Sequence, residues 1–334
     1  MNPRARAVRA LATVVYRSGL LRPMASVAAR LRRTVSLPIL TFHRVNDDQD
    51  PFFAALATSV FAARMEHIAR HYTVLPVEEL SERLREGRAP ANALALTFDD
   101  GYRDSLTHAA PILARHGLPA TIFLTTGYVG TPETPWYDLL ALGVKTTRRD
   151  TVSLAPGQRL PLGSTAERLR ALEAALRHMK RLPDLERRRL VERLIHELEP
   201  VTPEGQKRLM LSWDEVDALR GLGFSIGAHT INHPILARVE PEAAWGEIHG
   251  SKIAIEKKLG MPVRSFAYPN GGVDDYSPET VGLVERAGFR CAVTTRRGLN
   301  TERTPMFELR RGGPWEQHLP TFAMKLAYYQ VAGI

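Results

Sequence analysis

His229 and His233 stand four residues apart in the run Ala228-His229-Thr230-Ile231-Asn232-His233. On a helical turn that spacing brings both imidazoles to one face, the arrangement a zinc ion requires. Two histidines leave at least one protein ligand to be found, and a catalytic ion keeps a further position open for water or substrate. Asp100 or Asp99, in the run Thr97-Phe98-Asp99-Asp100-Gly101, is the natural supplier. Consecutive residues of a strand point to opposite sides, so the two carboxylates are expected to differ in role. One can face the metal and the other the reacting carbon, with Gly101 permitting the sharp turn. Two histidines and a carboxylate, with a free carboxylate beside them, suit metal-activated water and a general base. A lone His-x-x-x-His pair is as often structural, but the paired aspartates in the same chain weigh against that reading.

These residues recur at one kind of place. Four apolar runs end in polar groups: Ile39–Phe42 in His43, Leu94–Phe98 in Asp99-Asp100-Gly101, Phe224–Gly227 in the histidine segment, and Ser265–Tyr268 in Pro269-Asn270-Gly271-Gly272. In α/β barrels the active site lies at the C-terminal strand ends, so four such endings imply one shared face. Thr121–Leu124, Cys291–Thr295 and Phe307–Arg310 read as further strands. Their apolar character at nearly every position suits buried parallel strands. Helical patterns over Val60–Arg70, Asp104–His116, Trp213–Gly221, Glu242–Leu259 and Pro278–Ala287 alternate with them. That alternation predicts a parallel sheet, and the number of units favours a (β/α) barrel over a doubly wound sheet. Ser212 followed by Glu215 marks a helix start. Residues 132–212 interrupt the rhythm with leucines at helical spacing (Leu169, Leu172, Leu176; Leu190, Leu194, Leu198) and breaks at Pro183 and Pro200–Pro203. They predict a helical insertion capping one barrel end, whose aromatic start, Trp136-Tyr137, can reach over a substrate.

The segments Thr97-Phe98-Asp99-Asp100-Gly101-Tyr102 and His229-Thr230-Ile231-Asn232-His233 resemble the first two motifs of the polysaccharide deacetylases. These are metal-dependent carbohydrate esterases that share the NodB homology domain. The resemblance spans about residues 35–312. It implies an α/β fold, a distorted, incomplete (β/α) barrel of about seven strands, that removes N- or O-acetyl groups from sugars. It further implies Asp99 as catalytic base and Asp100, His229 and His233 as ligands of a divalent metal, zinc foremost, with cobalt, nickel or iron as alternatives. Two departures stand out. The third motif of the family usually reads Arg-x-Pro-x-Gly, whereas this chain has Ala267-Tyr268-Pro269-Asn270-Gly271 and lacks the arginine that orients the base. The Phe266-Ala267-Tyr268-Pro269 form resembles a subgroup that includes poly-N-acetylglucosamine deacetylases. By that likeness the backbone N–H of Asn270 supplies the oxyanion donor. The usual C-terminal Leu-x-His is also missing, and His318 stands in a different setting. In the same subgroup the general acid comes from a Tyr/Phe-His segment, so the role falls on His43 in Thr41-Phe42-His43-Arg44-Val45. An ionised Asp99 without its family arginine needs another cationic or donor partner, and Arg310 or Arg311, at the end of the last apolar run, is a candidate, with surface ion pairs an equal alternative for both. Tyr102, Tyr268, Pro269, Trp136 and Arg310 are the candidate substrate contacts.

Other conspicuous residues read as structural. Cys291 lies on an apolar run with no basic neighbour and is expected in the core rather than as a nucleophile. His67, His71, His116, His178 and His196 sit in charged helical surroundings and are expected at the surface. Asp274 and Asp275 suit a groove wall or a turn equally.

The 334-residue chain carries a net charge of +9, and eight arginines in residues 1–34, without a lysine or an acid, account for all but +1 of it. A nucleic-acid footprint would spread over a face of the fold, so no nucleic-acid partner is expected. The arm lacks the continuous apolar core of a secretory signal. It reads as one or two amphipathic helices broken near Gly19 and Pro23, with Leu11, Val14, Val15, Leu20 and Leu21 between arginines, suited to an anionic membrane surface. A basic helix docked on the body is an equal alternative, and a mitochondrial transit peptide shares the composition. One cysteine excludes an intrachain disulfide and a cysteine zinc site. Together these features predict a cytoplasmic protein, peripheral on the inner membrane face. The domain reading is a basic arm over 1–34 and a catalytic domain over 35–334. The predicted activity is metal-dependent N-deacetylation of an amino-sugar glycan or a lipid-linked sugar. Glycoside hydrolysis is the rival enzyme class, but it needs carboxylates ~5–9.5 Å apart and would leave the histidines idle. A sugar-binding protein with a decayed site is the non-enzymatic rival.

Overall fold

The structure, a computed structural model, describes residues 3–19, 35–201, 208–313 and 316–332. Its helices are α1 (Pro3–Arg17), α2 (Thr58–His71), α3 (Val77–Arg85), α4 (Ala110–Arg115), α5 (Trp136–Thr146), α6 (Thr165–Met179), α7 (Asp184–Leu198), α8 (Trp213–Gly221), α9 (Pro241–Leu259), α10 (Pro278–Arg286) and α11 (Leu319–Ala332). The strands are β1 (Ile39–Phe42), β2 (Thr73–Val74), β3 (Ala93–Phe98), β4 (Ala120–Leu124), β5 (Thr151–Ala155), β6 (Gln158–Pro161), β7 (Phe224–Ala228), β8 (Ser265–Ala267) and β9 (Cys291–Val293).

Seven strands form one parallel sheet in the order β1-β3-β4-β7-β8-β9, with β2 paired to β3. Strands β1, β3 and β4 are buried at every position, because helices cover one side and the curled sheet packs on itself on the other. This is the incomplete α/β barrel. Between β9 and β1 the expected strand Phe307–Arg310 makes only one bridge, Val293 to Leu309. The chain then crosses the gap, and the Gly312 N–H donates to the Ile39 carbonyl at 3.0 Å. A segment with a ladder on one side for a single residue cannot propagate as a strand, so the barrel stays open there and residues 307–313 seal it.

The insertion has its own apolar core, where Leu140, Val144, Leu172, Met179, Leu194 and Leu198 pack together. It is not all helical, as the leucine spacing predicts. Between α5 and α6 the antiparallel pair β5–β6 turns at Pro156-Gly157. Thr151–Ala155 buries alternate residues, the period of a half-buried strand, and Gly157 takes the positive φ (+74°) of the turn. At the far end of the insertion, Ser212 and Glu215 form the expected capping box on α8.

Helix α1 packs against α11, burying Ala12 and setting the Tyr16 ring 5.6 Å from that of His67. His67 is therefore a buried residue and not the surface group expected from its charged neighbours. Burial lowers its pKa to about 4, with help from His71 and Arg70. Val8, Leu11 and Val14 of α1 point outward. Leu20, Leu21 and the rest of the basic arm through residue 34 lie outside the described residues, as does Pro203. Among the described residues no helix is long and apolar enough to cross a membrane.

Candidate active site

Strand register brings the polar endings together. Thr41 pairs with Thr97 and Phe42 with Phe98, which sets His43 beside Asp99 at neighbouring strand ends. Leu124 pairs with Ala228 and Ala228 with Phe266, which brings the histidine segment and the third motif to the same edge. Asp100 and Gly101 both take positive φ (73° and 88°), so the chain turns sharply straight after β3. The turn lets adjacent carboxylates face different partners.

His229 and His233 converge by a loop and not by the helical turn that their spacing suggests. Thr230 and His233 have φ of +66° and +56°, and the loop is pinned by the Thr126 and Gly127 N–H groups to the carbonyls of Thr230 and Ile231. The buried Glu247 of α9 completes the clamp. Its carboxylate accepts from the backbone N–H groups of Ile231 (2.9 Å) and Asn232 (2.8 Å) and from the Asn232 amide (2.7 Å). Sequence reasoning missed Glu247, although a signal exists: it lies between Ala244 and Ile248 on the buried stripe of α9, where an acid is costly without a purpose.

The Asp100 Oδ1 lies 3.5 Å from His229 Nε2 and 3.4 Å from His233 Nε2. Ligand atoms of all three residues fall within 4.8 Å of one another. His229 donates from Nδ1 to the Ala267 carbonyl at 2.6 Å, which leaves the Nε2 lone pair turned to Asp100. Burial lowers the pKa of His229 to about 4 and that of His233 well below the ordinary imidazole value, so both are neutral and able to ligate. Burial, then the neighbouring Asp99, pushes the Asp100 carboxyl well above the carboxylate range. Its Oδ1 is buried without a hydrogen-bond partner among the described residues. An orphaned carboxylate oxygen facing two neutral imidazoles is complementary to a cation, so the three residues fit a divalent metal.

Asp99 faces the other way. Arg311 binds it with two parallel bonds, Nη1 to Oδ1 at 2.7 Å and Nη2 to Oδ2 at 2.8 Å. The guanidinium is itself fully buried and is held by the Thr294 carbonyl (2.9 Å) and Thr97 Oγ1 (3.2 Å). Burial pushes the Asp99 carboxyl up, but the Arg311 guanidinium overcomes it and holds the group well below its usual range. Arg311 is thus the cationic partner of Asp99 that the third motif, lacking its arginine, does not supply. It arrives from the segment sealing the barrel gap, not from the strand end used by the family motif. His43 Nε2 stands 3.9 Å from Asp99 Oδ2 with its ring half exposed to the pocket. Desolvation by the pocket walls lowers its pKa, against the opposing pull of Asp99.

These groups open into a cavity of about 310 Å³. Tyr102 lines it and donates its hydroxyl to Asp138 at 2.7 Å, and Trp136 lines it with its indole N–H 3.5 Å from the His233 carbonyl. Burial pushes the Asp138 carboxyl up to about 6. Asn270 also lines the cavity, in a left-handed conformation (φ +59°) that asparagine tolerates, and its backbone N–H has no partner among the described residues. The next residue must be glycine. Gly271 has φ +66°, and a Cβ there would lie 2.8 Å from the Thr295 nitrogen.

Three candidate substrate contacts are placed elsewhere. Tyr268 is buried and stacks on Tyr276 with centroids 4.5 Å apart, and Pro269 is buried behind it. Arg310 is exposed, its backbone pairs with Asn300, and its side chain lies over Gly298. Alternation along residues 309–312 explains the difference between the two arginines: when Arg311 points into the barrel, Arg310 must point out.

The sequence pattern of the polysaccharide deacetylase family matches residues 86–292. The putative polysaccharide deacetylase YxkH of Bacillus subtilis (strain 168) is 21% identical over 284 residues, covering 84% of this chain and 72% of the relative. Among solved structures, the Streptococcus pyogenes deacetylase PplD in complex with acetate superposes with a TM-score of 0.56 at 20% identity, covering 84% of this chain and 92% of that one. IcaB from Ammonifex degensii superposes with a TM-score of 0.56 at 18% identity, covering 87% and 97%.

Proposed function

We propose, since the chain belongs to the polysaccharide deacetylase family and so to a family of hydrolases, that it removes N-acetyl groups from an amino-sugar glycan or a lipid-linked sugar in a metal-dependent reaction. The observation that carries this reading is the division of labour between adjacent aspartates. Asp99 is fixed and ionised by Arg311, while Asp100 turns to His229 and His233. That PplD was solved with acetate, the small product of such a reaction, agrees with it.

Asp100, His229 and His233 would hold the ion, which when bound supplies Lewis-acid polarisation of the acetyl carbonyl and of the attacking water. Asp99 takes a proton from the attacking water as the water oxygen bonds to the acetyl carbon. Its low pKa makes it a weak base at rest, so the bidentate Arg311 serves chiefly to fix its orientation. The Asn270 N–H donates to the carbonyl oxygen as it becomes negative. His43 protonates the amine nitrogen as the C–N bond breaks, and a lowered imidazole pKa makes its protonated form a stronger donor. Acetate and a free amino sugar leave. Trp136 and Tyr102 form apolar and polar wall for the sugar ring.

Acetate release from a panel of N-acetylated glycans, with zinc, cobalt, nickel or iron(II) added in turn, tests the activity and identifies the metal. Release from none of them, by a folded and metal-loaded protein, would favour the sugar-binding alternative. Cleavage of a glycosidic bond without acetate would favour the glycosidase.

The arm carries the proposal to a place of work, the cytoplasmic face of an anionic membrane. Arg6, Arg9 and Arg17 share α1 with the outward Val8, Leu11 and Val14. Each basic residue near an anionic leaflet gains ~1 kcal/mol before any apolar insertion. The full chain is expected to float with anionic liposomes at low salt, and a Leu11→Glu, Val14→Glu variant to stay behind. If both stay at the bottom of the gradient, α1 serves only to cover α11.

A further inference from the structure

The insertion contributes more to the cavity than a roof. Leu176 and Lys180, one helical turn apart at the end of α6, both line it. Their i, i+4 spacing puts them on one face, so an apolar contact and an ammonium are presented to the same volume. The other charges of the cavity are accounted for. Asp99 is paired with Arg311, and Arg44 with Asp104 at 3.0 Å. Asp138 holds the Tyr102 hydroxyl, and Asp100 belongs to the metal cluster. Lys180 is the charged side chain left over: among the described residues it has neither an acidic partner nor a hydrogen bond. A flexible ammonium at the mouth of a cavity whose acids are all engaged raises the local concentration of anions and favours a ligand carrying one.

We propose that Lys180 is a specificity-determining residue that selects an N-acetylated sugar bearing an anionic oxygen group, a phosphate monoester or diester or a carboxylate, on the sugar whose acetamido group is cleaved or on its neighbour. The proposal rests on the deacetylase reading for the identity of the sugar, but its central claim is a binding preference that can be measured without turnover. Lys180 reaches the substrate from the insertion, so the same barrel with a different insertion would have a different preference. Leu176, Phe52 and Phe53 line the same mouth and accept the apolar face of the sugar or of its carrier.

The test is calorimetric binding to the full-length, metal-loaded Asp99→Asn protein, with three oligomers of N-acetylglucosamine that differ in one substituent. One is neutral, one carries a phosphate monoester and one a C6 carboxylate. At low salt the two acidic oligomers are expected to bind at least about tenfold more tightly than the neutral one, with the preference lost toward 0.5 M salt. Lys180→Met should bring the ratio of affinities close to one, Lys180→Glu should invert it, and Lys180→Arg should preserve it. Equal affinity for acidic and neutral oligomers in the Asp99→Asn protein, or a preference that survives Lys180→Met, would overturn the proposal. The phosphate and carboxylate arms tell which anion is selected. Acetate release by the wild-type protein is scored separately. A Lys180-dependent preference with no acetate from any oligomer would keep the anion site while removing the deacetylase reading.

Discussion

Exhaustive chelation is expected to abolish acetate release completely, and a divalent ion to restore it. His229→Ala or His233→Ala should remove both bound metal and activity. The reason lies in the charge balance of the buried cluster. Asp100 is held among apolar and like-charged neighbours that push its proton affinity up, and the two imidazoles are driven neutral. Such a set binds a cation by removing the desolvation cost of one carboxylate, and it has little purpose otherwise. Metal content by elemental analysis should fall in parallel with activity in each variant. An ion held only by the assembled cluster stabilises the folded state, so its addition should also raise the Tm of the wild-type protein and leave that of His229→Ala unmoved. Full activity in a metal-free preparation would remove the deacetylase proposal.

Asp99→Asn should lower turnover by roughly 10²–10⁴ while the protein still binds its metal. The substitution keeps the size of the side chain and one acceptor but removes the proton-accepting charge. Arg311 then loses its counter-ion at a fully buried site, yet it keeps the Thr294 carbonyl and Thr97 Oγ1 as acceptors. The fold should therefore tolerate the change better than it tolerates Arg311→Met. Removing the arginine strands the Asp99 charge in the interior, a defect that typically costs about 3–5 kcal/mol. Chemical denaturation of the two variants separates these effects, and a pH profile adds a readout that a structural role would not move. Without Arg311 the Asp99 pKa should rise, so the acidic limb of kcat/KM should move to higher pH. Loss of the metal from Asp99→Asn, with Asp100→Asn retaining it, would show the two aspartates to have exchanged roles.

The site and the sheet differ in how far residue order alone leads to them. His43, Asp99, Asp100, His229, His233 and Asn270 all follow apolar runs, and hydrophobic continuity over four to six residues is a local property readable without a structure. The strand ends of a parallel sheet share one edge, so naming those runs already gathers these residues. The role of Glu247, unlike its place on the buried stripe of α9, was out of reach for the opposite reason. Its partners Ile231 and Asn232 are 15 to 16 residues away along the chain, and only the packing of α9 on β7 aims it at their N–H groups.

Residue order alone carries the fold class, the strand–polar rhythm and a pair of motifs whose residue types belong to metal-assisted hydrolysis. It also offered Arg310 and Arg311, which end an apolar run, as partners for Asp99, without choosing between them or against a surface role for both. The choice depends on which side of residues 309–312 faces the barrel, and that is decided by two hydrogen bonds across the gap, from Leu309 to Ala292 and from Gly312 to Ile39. The β5–β6 hairpin, the loop geometry of the histidine pair and the placement of Lys180 at the cavity mouth were likewise decided in three dimensions. The histidine loop and Lys180 depend on contacts between segments distant in the chain, and the hairpin, itself local, is tied to α7 through Glu197 and Arg193; burial in such contacts outweighs the local preference of any one segment.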